Sequence, residues 1–281
     1  MKKILAFIAC FFLQSCSTFL FYPEKTYVST PESLQIPFEN VDIPTTDDLV
    51  LRGWLLKAYS LDDGTETEPK GVIVFLHGNA ENISTHINGV LWLALEGYHV
   101  LAVDYRGFGH SDGVPSLSGA QDDAQAMIAY ALKRFPDLSV GVFGQSIGGA
   151  VALSAINTFA DKDKISAVII DSAFSSTRRI ARDKLSSVWL TWPFQYPISW
   201  TVAENNPEKH ASELSLPKLF LSAQDDPVVP AYHTQRLFES AAEPKELLVL
   251  PNVVCHICST LDKSVRLKVL DFLEQHQKAP F

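Results

Sequence analysis

Cysteine is scarce in this chain, with four among 281 residues: Cys10, Cys16, Cys255 and Cys258. That number excludes a disulfide-stapled scaffold. It also leaves no zinc site, because Cys255, His256 and Cys258 crowd three ligand types into four residues that cannot wrap a tetrahedral ion, and no second Cys/His pair completes them. A redox CxxC opens a helix in a thioredoxin-like pattern, which is missing here, so two buried thiols or an incidental disulfide remain as readings of the pair. Basic charge is short as well. Against 32 Asp and Glu stand 23 Lys and Arg, a net charge of −9, with no basic cluster or aromatic-interleaved basic stripe, which excludes broad capture of nucleic acid. Past the N-terminus no apolar run approaches the ~20 residues needed to span a bilayer, and no internal repeat or long low-complexity segment interrupts the chain. With 47% hydrophobic and 20% charged residues, one domain with a sizeable core is expected.

The N-terminus differs. Lys2 and Lys3 precede the apolar run Ile4 to Leu13, followed by Leu13, Gln14, Ser15 and Cys16. This has the shape of a signal peptide over 1–15 and resembles a bacterial lipoprotein signal, in which the cysteine becomes the lipid anchor. Cys16 is then the lipidated residue, 16–40 a tether, and 41–281 the folded domain. The resemblance implies attachment to a membrane of the cell envelope, facing the periplasm, with Ser17 permitting sorting to the outer membrane. An uncleaved anchor extending to Tyr22 is the rival reading.

The body alternates strand-like and helix-like segments, the pattern of a parallel sheet with crossover helices. Strands are expected at Val72 to Leu76, Val100 to Asp104, Val140 to Phe143, Ala167 to Ile170, Lys218 to Ser222 and Glu246 to Leu250. Helices are expected over Ser118 to Arg134, Ile147 to Phe159, Tyr232 to Ala241 and about Ser259 to Gln275. Ahead of them Val41 to Ile43 and Leu49 to Leu56 alternate as an antiparallel pair, and Asp62 to Lys70 reads as a loop. The class is α/β, a mostly parallel central sheet flanked by helices; strand order is not legible.

Gly144 to Gly149 read GQSIGG, a GxSxG pattern placed between an apolar strand and a helix. In that setting a serine sits on a tight turn with its hydroxyl exposed, and glycines surround it because no side chain fits there. Ser146 is the candidate nucleophile. A free hydroxyl is a weak nucleophile at neutral pH and requires a base, and the base requires an acid to orient it. Two downstream loops meet that need: Gln224-Asp225-Asp226-Pro227 after the strand ending at Ser222, and Cys255-His256 after the strand ending at Leu250. His256 is assigned as base and Asp226 as acid, with Asp225 as the fallback.

The segments HGNA (His77 to Ala80), DYRGFGHSDG (Asp104 to Gly113), GQSIGG, DDPVVP (Asp225 to Pro230) and Cys255-His256 together resemble the α/β-hydrolase superfamily. Within it the chain resembles the Bem46/ABHD13/ABHD17-like group of serine hydrolases, over about Asp42 to Phe272. The resemblance implies an α/β-hydrolase fold with a small cap inserted at about 172–212. It places the acid three residues before the Val229-Pro230 pair, which is Asp226. One departure is Val253, Val254 and Cys255, where the family shows glycines before its histidine. The oxyanion formed during acyl transfer needs backbone donors. Ile147, at a helix N-terminus, and Asn79, after His77-Gly78, are expected to supply them, with Ala80 as the alternative to Asn79.

The other marked residues have plainer readings. His77, Asp104 and Arg106 are expected to brace loops. His86, His99, His110, His210, His233 and His276, which lack a partnered acid motif, are read as surface or packing residues. Asp122 and Asp123 suit the first part of a helix through its dipole. Trp189, Trp192, Phe194, Tyr196 and Trp200 mark the cap, either packing it onto the core, lining an acyl pocket over Ser146, or facing a membrane. The expected function is a serine hydrolase cleaving carboxylic esters or thioesters of small or lipid-like molecules through an acyl-enzyme, with no metal or organic cofactor. Peptidase or amidase activity on the same triad, and a non-catalytic lipid-binding lipoprotein, are the alternatives.

Overall fold

Strands buried on both faces read as continuous apolar runs, and each such run here becomes one strand of a single sheet. A computed structural model describes residues 21–60 and 65–277; Cys10, Cys16 and the first part of the loop expected from Asp62 lie outside them. The strands are β1 (Phe38–Pro44), β2 (Val50–Leu56), β3 (Gly71–Leu76), β4 (Tyr98–Val103), β5 (Val140–Gln145), β6 (Ile165–Asp171), β7 (Lys218–Ala223) and β8 (Lys245–Leu250). Their order is β1-β2-β4-β3-β5-β6-β7-β8. β1 and β2 pair antiparallel, β2 meets β4 antiparallel, and all later pairings are parallel.

The helices are α1 (Ile83–His86), α2 (Trp92–Leu95), α3 (Leu117–Arg134), α4 (Ile147–Thr158), α5 (Thr177–Ser186), α6 (Gln195–Thr201), α7 (Pro207–Glu213), α8 (Tyr232–Ser240) and α9 (Lys263–Gln275). They cover both faces. Because side chains alternate along a strand, Val72, Val74 and Leu76 of β3 join the core under α3 and α4, while Ile73 and Phe75 join the one under α1, α2 and α9. Ser116 caps α3, its hydroxyl accepting from the Gly119 amide at 3.0 Å, and Pro136 follows the helix end as a breaker.

Asp123 corrects the helix-dipole reading of the acidic pair. Asp122 is exposed on α3, whereas the Asp123 side chain is fully buried and grips Arg106: the backbone amide donates to Oδ2 at 2.8 Å, and Nε and Nη2 donate to Oδ1 at 3.0 and 2.8 Å. Burial pushes the Asp123 carboxyl up, opposed by the guanidinium. This pair ties the loop after β4 to α3. His233 is likewise more than a packing residue. Its Nε2 donates to Asp183 Oδ2 on α5 at 2.8 Å, and Nδ1 accepts from the Ser175 amide at 3.2 Å. Since Asp183 lies 50 residues away in sequence, no local motif announced it.

Candidate active site

The parallel strands end their crossovers on one side of the sheet, so loops after β3, β5, β6, β7 and β8 gather at its C-terminal edge. Ser146 sits between β5 and α4 with φ 53° and ψ −118°, a conformation that costs about 1–3 kcal/mol in a non-glycine residue. The neighbouring packing holds it there. A Cβ on Gly144 would stand 2.6 Å from Gly149 Cα, and one on Gly148 would stand 2.0 Å from the Leu76 carbonyl oxygen. The Ser146 amide donates to the Asp171 carbonyl at 2.8 Å, fixing the turn against β6.

Ser146 Oγ lies 3.0 Å from His256 Nε2, and His256 Nδ1 lies 2.8 Å from Asp226 Oδ2. A carboxylate only accepts, so Nδ1 is the donor and the Nε2 lone pair faces the serine hydroxyl. The Asp226 side chain is fully buried and its Oδ1 accepts from the Val228 and Val229 amides at 2.8 and 2.9 Å. Asp225 is exposed on the same loop, and its amide donates to the Val253 carbonyl at 3.1 Å. The structure therefore joins Ser146, His256 and Asp226 in one line and leaves Asp225 out of it.

The HGNA loop begins against the first turn of α4, where a Cβ on Gly148 would stand 2.0 Å from the Leu76 carbonyl oxygen and 2.6 Å from that of His77. Helix-terminal amides have no intrahelical acceptor, so the one on Ile147 is suited to an anion. The Asn79 side chain is turned aside, its Oδ1 accepting from the Tyr22 amide at 3.1 Å. His77 is completely buried, and burial together with nearby His86 pushes it down to about 3, so the ring is neutral. It donates from Nδ1 to the Gly78 carbonyl at 2.8 Å and accepts the Tyr105 amide at Nε2 at 3.5 Å. It braces both loops. Asp104 takes the Ile83 amide and the Tyr27 hydroxyl, each at 2.8 Å, and burial pushes it up to about 7.

Residues 67–208 match a family model described as serine aminopeptidase, S33. The protein YfhR of Escherichia coli (strain K12) is 34% identical over 238 residues, 83% of this chain and 78% of that one. The chain belongs to the α/β-hydrolase superfamily. Bem46 of Schizosaccharomyces pombe is 28% identical over 85% of this hydrolase and 79% of its own length. Lysophosphatidylserine lipase ABHD12 of Xenopus tropicalis is 32% identical over 63% of this hydrolase and 48% of its own. Among solved structures, the Pyrococcus furiosus esterase Pf2001 superposes with a TM-score of 0.71 at 21% identity, over 92% of this hydrolase and 98% of that chain, which shows the shared fold.

One residue beside Ser146 was not singled out from the sequence. Asp171 ends β6 and is fully buried; Oδ1 accepts from the Ser259 hydroxyl at 2.9 Å and the Ser172 hydroxyl at 3.2 Å, while Oδ2 has no donor. Gln145 Oε1 is also a buried acceptor without a donor, and the Gln145 side chain lies within hydrogen-bonding reach of Asp171. Burial raises this carboxyl to about 6, opposed by the two serine hydroxyls and by nearby His256. A folded pKa above the unfolded value of about 3.9 favours the fold below pH ~4 and loses that advantage as pH rises through 6, a swing of about 2–3 kcal/mol. Asp171→Asn is thus expected to raise Tm relative to wild type at pH 8 and to close the gap at pH 4. An equal difference at both pH values in thermal melts would contradict it.

Cys255 and Cys258 are joined in a half-buried disulfide that brackets His256. Beside it a cavity of about 250 Å³ is lined by His86, Gln145, Ile257, Thr260 and Leu261. A larger apolar cavity of about 660 Å³ lies between the end of β1 and α3, around Pro44, Tyr130 and Phe159, and shares no residue with the site. The cap aromatics line neither cavity. Trp189, Trp192, Phe194, Tyr196 and Trp200 are all exposed, which overturns the reading that they pack the cap onto the core.

Proposed function

We propose that this hydrolase cleaves carboxylic esters or thioesters through an acyl-enzyme on Ser146. The observation that carries the reading is the continuous Ser146–His256–Asp226 hydrogen-bonded line at a strained strand-to-helix turn. His256 Nε2 takes the hydroxyl proton as Oγ attacks the carbonyl, and Asp226 holds the imidazolium that forms. The Ile147 and Asn79 amides receive the oxyanion. His256 then protonates the leaving alkoxide or thiolate, and a water molecule, deprotonated by the same ring, releases the acid and restores Ser146. No step in this scheme calls on a metal or an organic cofactor.

A lipid-like substrate is favoured by the similarity to ABHD12, a lysophosphatidylserine lipase. The serine aminopeptidase description of the family model favours amide cleavage as a second reading. Nitrophenyl esters of increasing chain length set beside amino-acid nitroanilides separate the two. Ester turnover that disappears in His256→Ala supports the first reading, and anilide turnover without ester turnover supports the second.

The envelope location rests on the N-terminal sequence alone, with Cys16 proposed as the lipid anchor. Electrophoretic mobility and membrane fractionation of Cys16→Ser beside wild type test it. Unchanged mobility with unchanged membrane association contradicts lipidation.

A further inference from the structure

Soluble domains scatter their exposed apolar side chains, and a dense group of them marks a contact surface. Among the described residues seventeen large apolar side chains are exposed, and eight of these fall between Val188 and Trp200. Trp189 is 84% exposed and Trp200 68%, with Leu190, Trp192, Phe194 and Tyr196 between them. Tryptophan and tyrosine, with an apolar body and one polar tip, are the residues suited to the boundary between headgroups and acyl chains.

Charge points the same way. On a chain of net charge −9, no acidic residue occurs between Asp183 and Glu204. α5 contributes Arg178, Arg179, Arg182 and Lys184. Arg178 and Arg179 pair with Glu204 and Glu208, while the Arg182 guanidinium lies over the Tyr196 ring at 5.5 Å. An anionic headgroup layer meets attraction here and repulsion over much of the remaining surface.

The route of the chain supplies the orientation. Phe21 packs edge-on against Phe108 at 6.0 Å, the Tyr22 amide donates to Asn79 Oδ1, and the Glu24 amide donates to the Glu81 carbonyl at 2.9 Å. The described chain therefore begins beside the HGNA loop, at Phe21. α5 follows from the end of β6 at the same edge of the sheet. On the proposed N-terminal anchor, on which this orientation rests, a bilayer would lie at the edge of the sheet from which α5 departs.

We infer that the exposed aromatic face of the cap, from Val188 to Trp200, docks on the surface of a bilayer containing anionic lipid. Its tryptophans enter the acyl boundary, and Arg182 and Lys184 of α5 meet the phosphates.

Three of the five tryptophans are on this face, and the other two, Trp54 and Trp92, are buried, so the protein carries its own reporter. The full chain is reconstituted into phosphatidylcholine/phosphatidylglycerol vesicles, with and without bromine on the acyl chains, and tryptophan emission is compared. Loss of most of the emission from exposed indoles in brominated vesicles, with little loss in a Trp189→Ser/Trp192→Ser/Trp200→Ser variant, is expected. Because those indoles are exposed, the variant is expected to keep the wild-type circular dichroism spectrum. Single Trp189→Ser and Trp200→Ser variants, each quenched less than wild type, provide a second reading if the triple variant misfolds. Unquenched wild type in the same vesicles overturns the inference, as does equal quenching of wild type and a folded triple variant. A patch found buried between two copies, with mass doubled by light scattering and no quenching, also overturns it. Ser146→Ala must quench like wild type, so failure of the catalytic reading leaves this result standing. Conversely, turnover of a soluble ester without quenching leaves the catalytic reading standing.

Discussion

Asp226→Asn is expected to lower kcat/KM for a nitrophenyl ester by about 10³–10⁴ while leaving the fold intact, because an amide presents the wrong group to His256 Nδ1 and favours the wrong tautomer. The neighbouring Asp225→Asn serves as the control and is expected to stay within a few-fold of wild type. The distinction is geometric. Asp226 Oδ1 accepts from two amides of its own loop, which turns the carboxyl inward, and its Oδ2 then reaches His256 at 2.8 Å. Asp225 remains exposed, with its amide bound to the Val253 carbonyl. Steady-state kinetics on both variants check this, with circular dichroism as the test of folding. A large loss at Asp225 with none at Asp226 would contradict the assignment.

Gly148→Ala is expected to be among the most damaging single-methyl changes in the chain. The added Cβ would stand 2.0 Å from the Leu76 carbonyl oxygen and 2.6 Å from that of His77, both rigid backbone atoms. Neither neighbour gives way as a flexible side chain would, so α4 must move away from β3. A cost of about 3 kcal/mol or more follows from overpacking a close backbone contact. That motion also carries the Ile147 amide away from the Asn79 loop, so activity is expected to fall further than the folded fraction. Thermal melts and kcat/KM on soluble variant check both effects. A Tm within a degree or two of wild type would show that the contact between α4 and the HGNA loop is looser than drawn.

Much of the fold was legible because parallel strands buried on both faces leave uninterrupted apolar runs, and the β3, β5 and β7 runs were each located within a residue or two. The order β1-β2-β4-β3-β5-β6-β7-β8 was not legible, since pairing is a long-range property that no local pattern encodes. Ser146, Asp226 and His256 could be named because each stands in a loop with its own residue pattern, and the structure brings the three side chains together.

Other groups carried no such signal. Asp171 is one carboxyl at the end of an apolar run, and the Ser259 hydroxyl that donates to it comes 88 residues later. Asp123 is one half of a buried pair whose other half, Arg106, lies in a loop, so helical position alone suggested a dipole contact. The cap aromatics were visible as residues but not as a direction. An insertion outside the sheet has no neighbouring strand to fix which side of it faces the core, and here the large rings turn outward.

The central claim, an activated Ser146, is tested most directly by labelling the purified full chain with a fluorophosphonate, beside Ser146→Ala and His256→Ala. The account predicts one covalent adduct per chain on Ser146, absent from Ser146→Ala and formed far more slowly in His256→Ala. Correctly folded wild type that takes up no label, or that labels equally well when Ser146 is alanine, would contradict it.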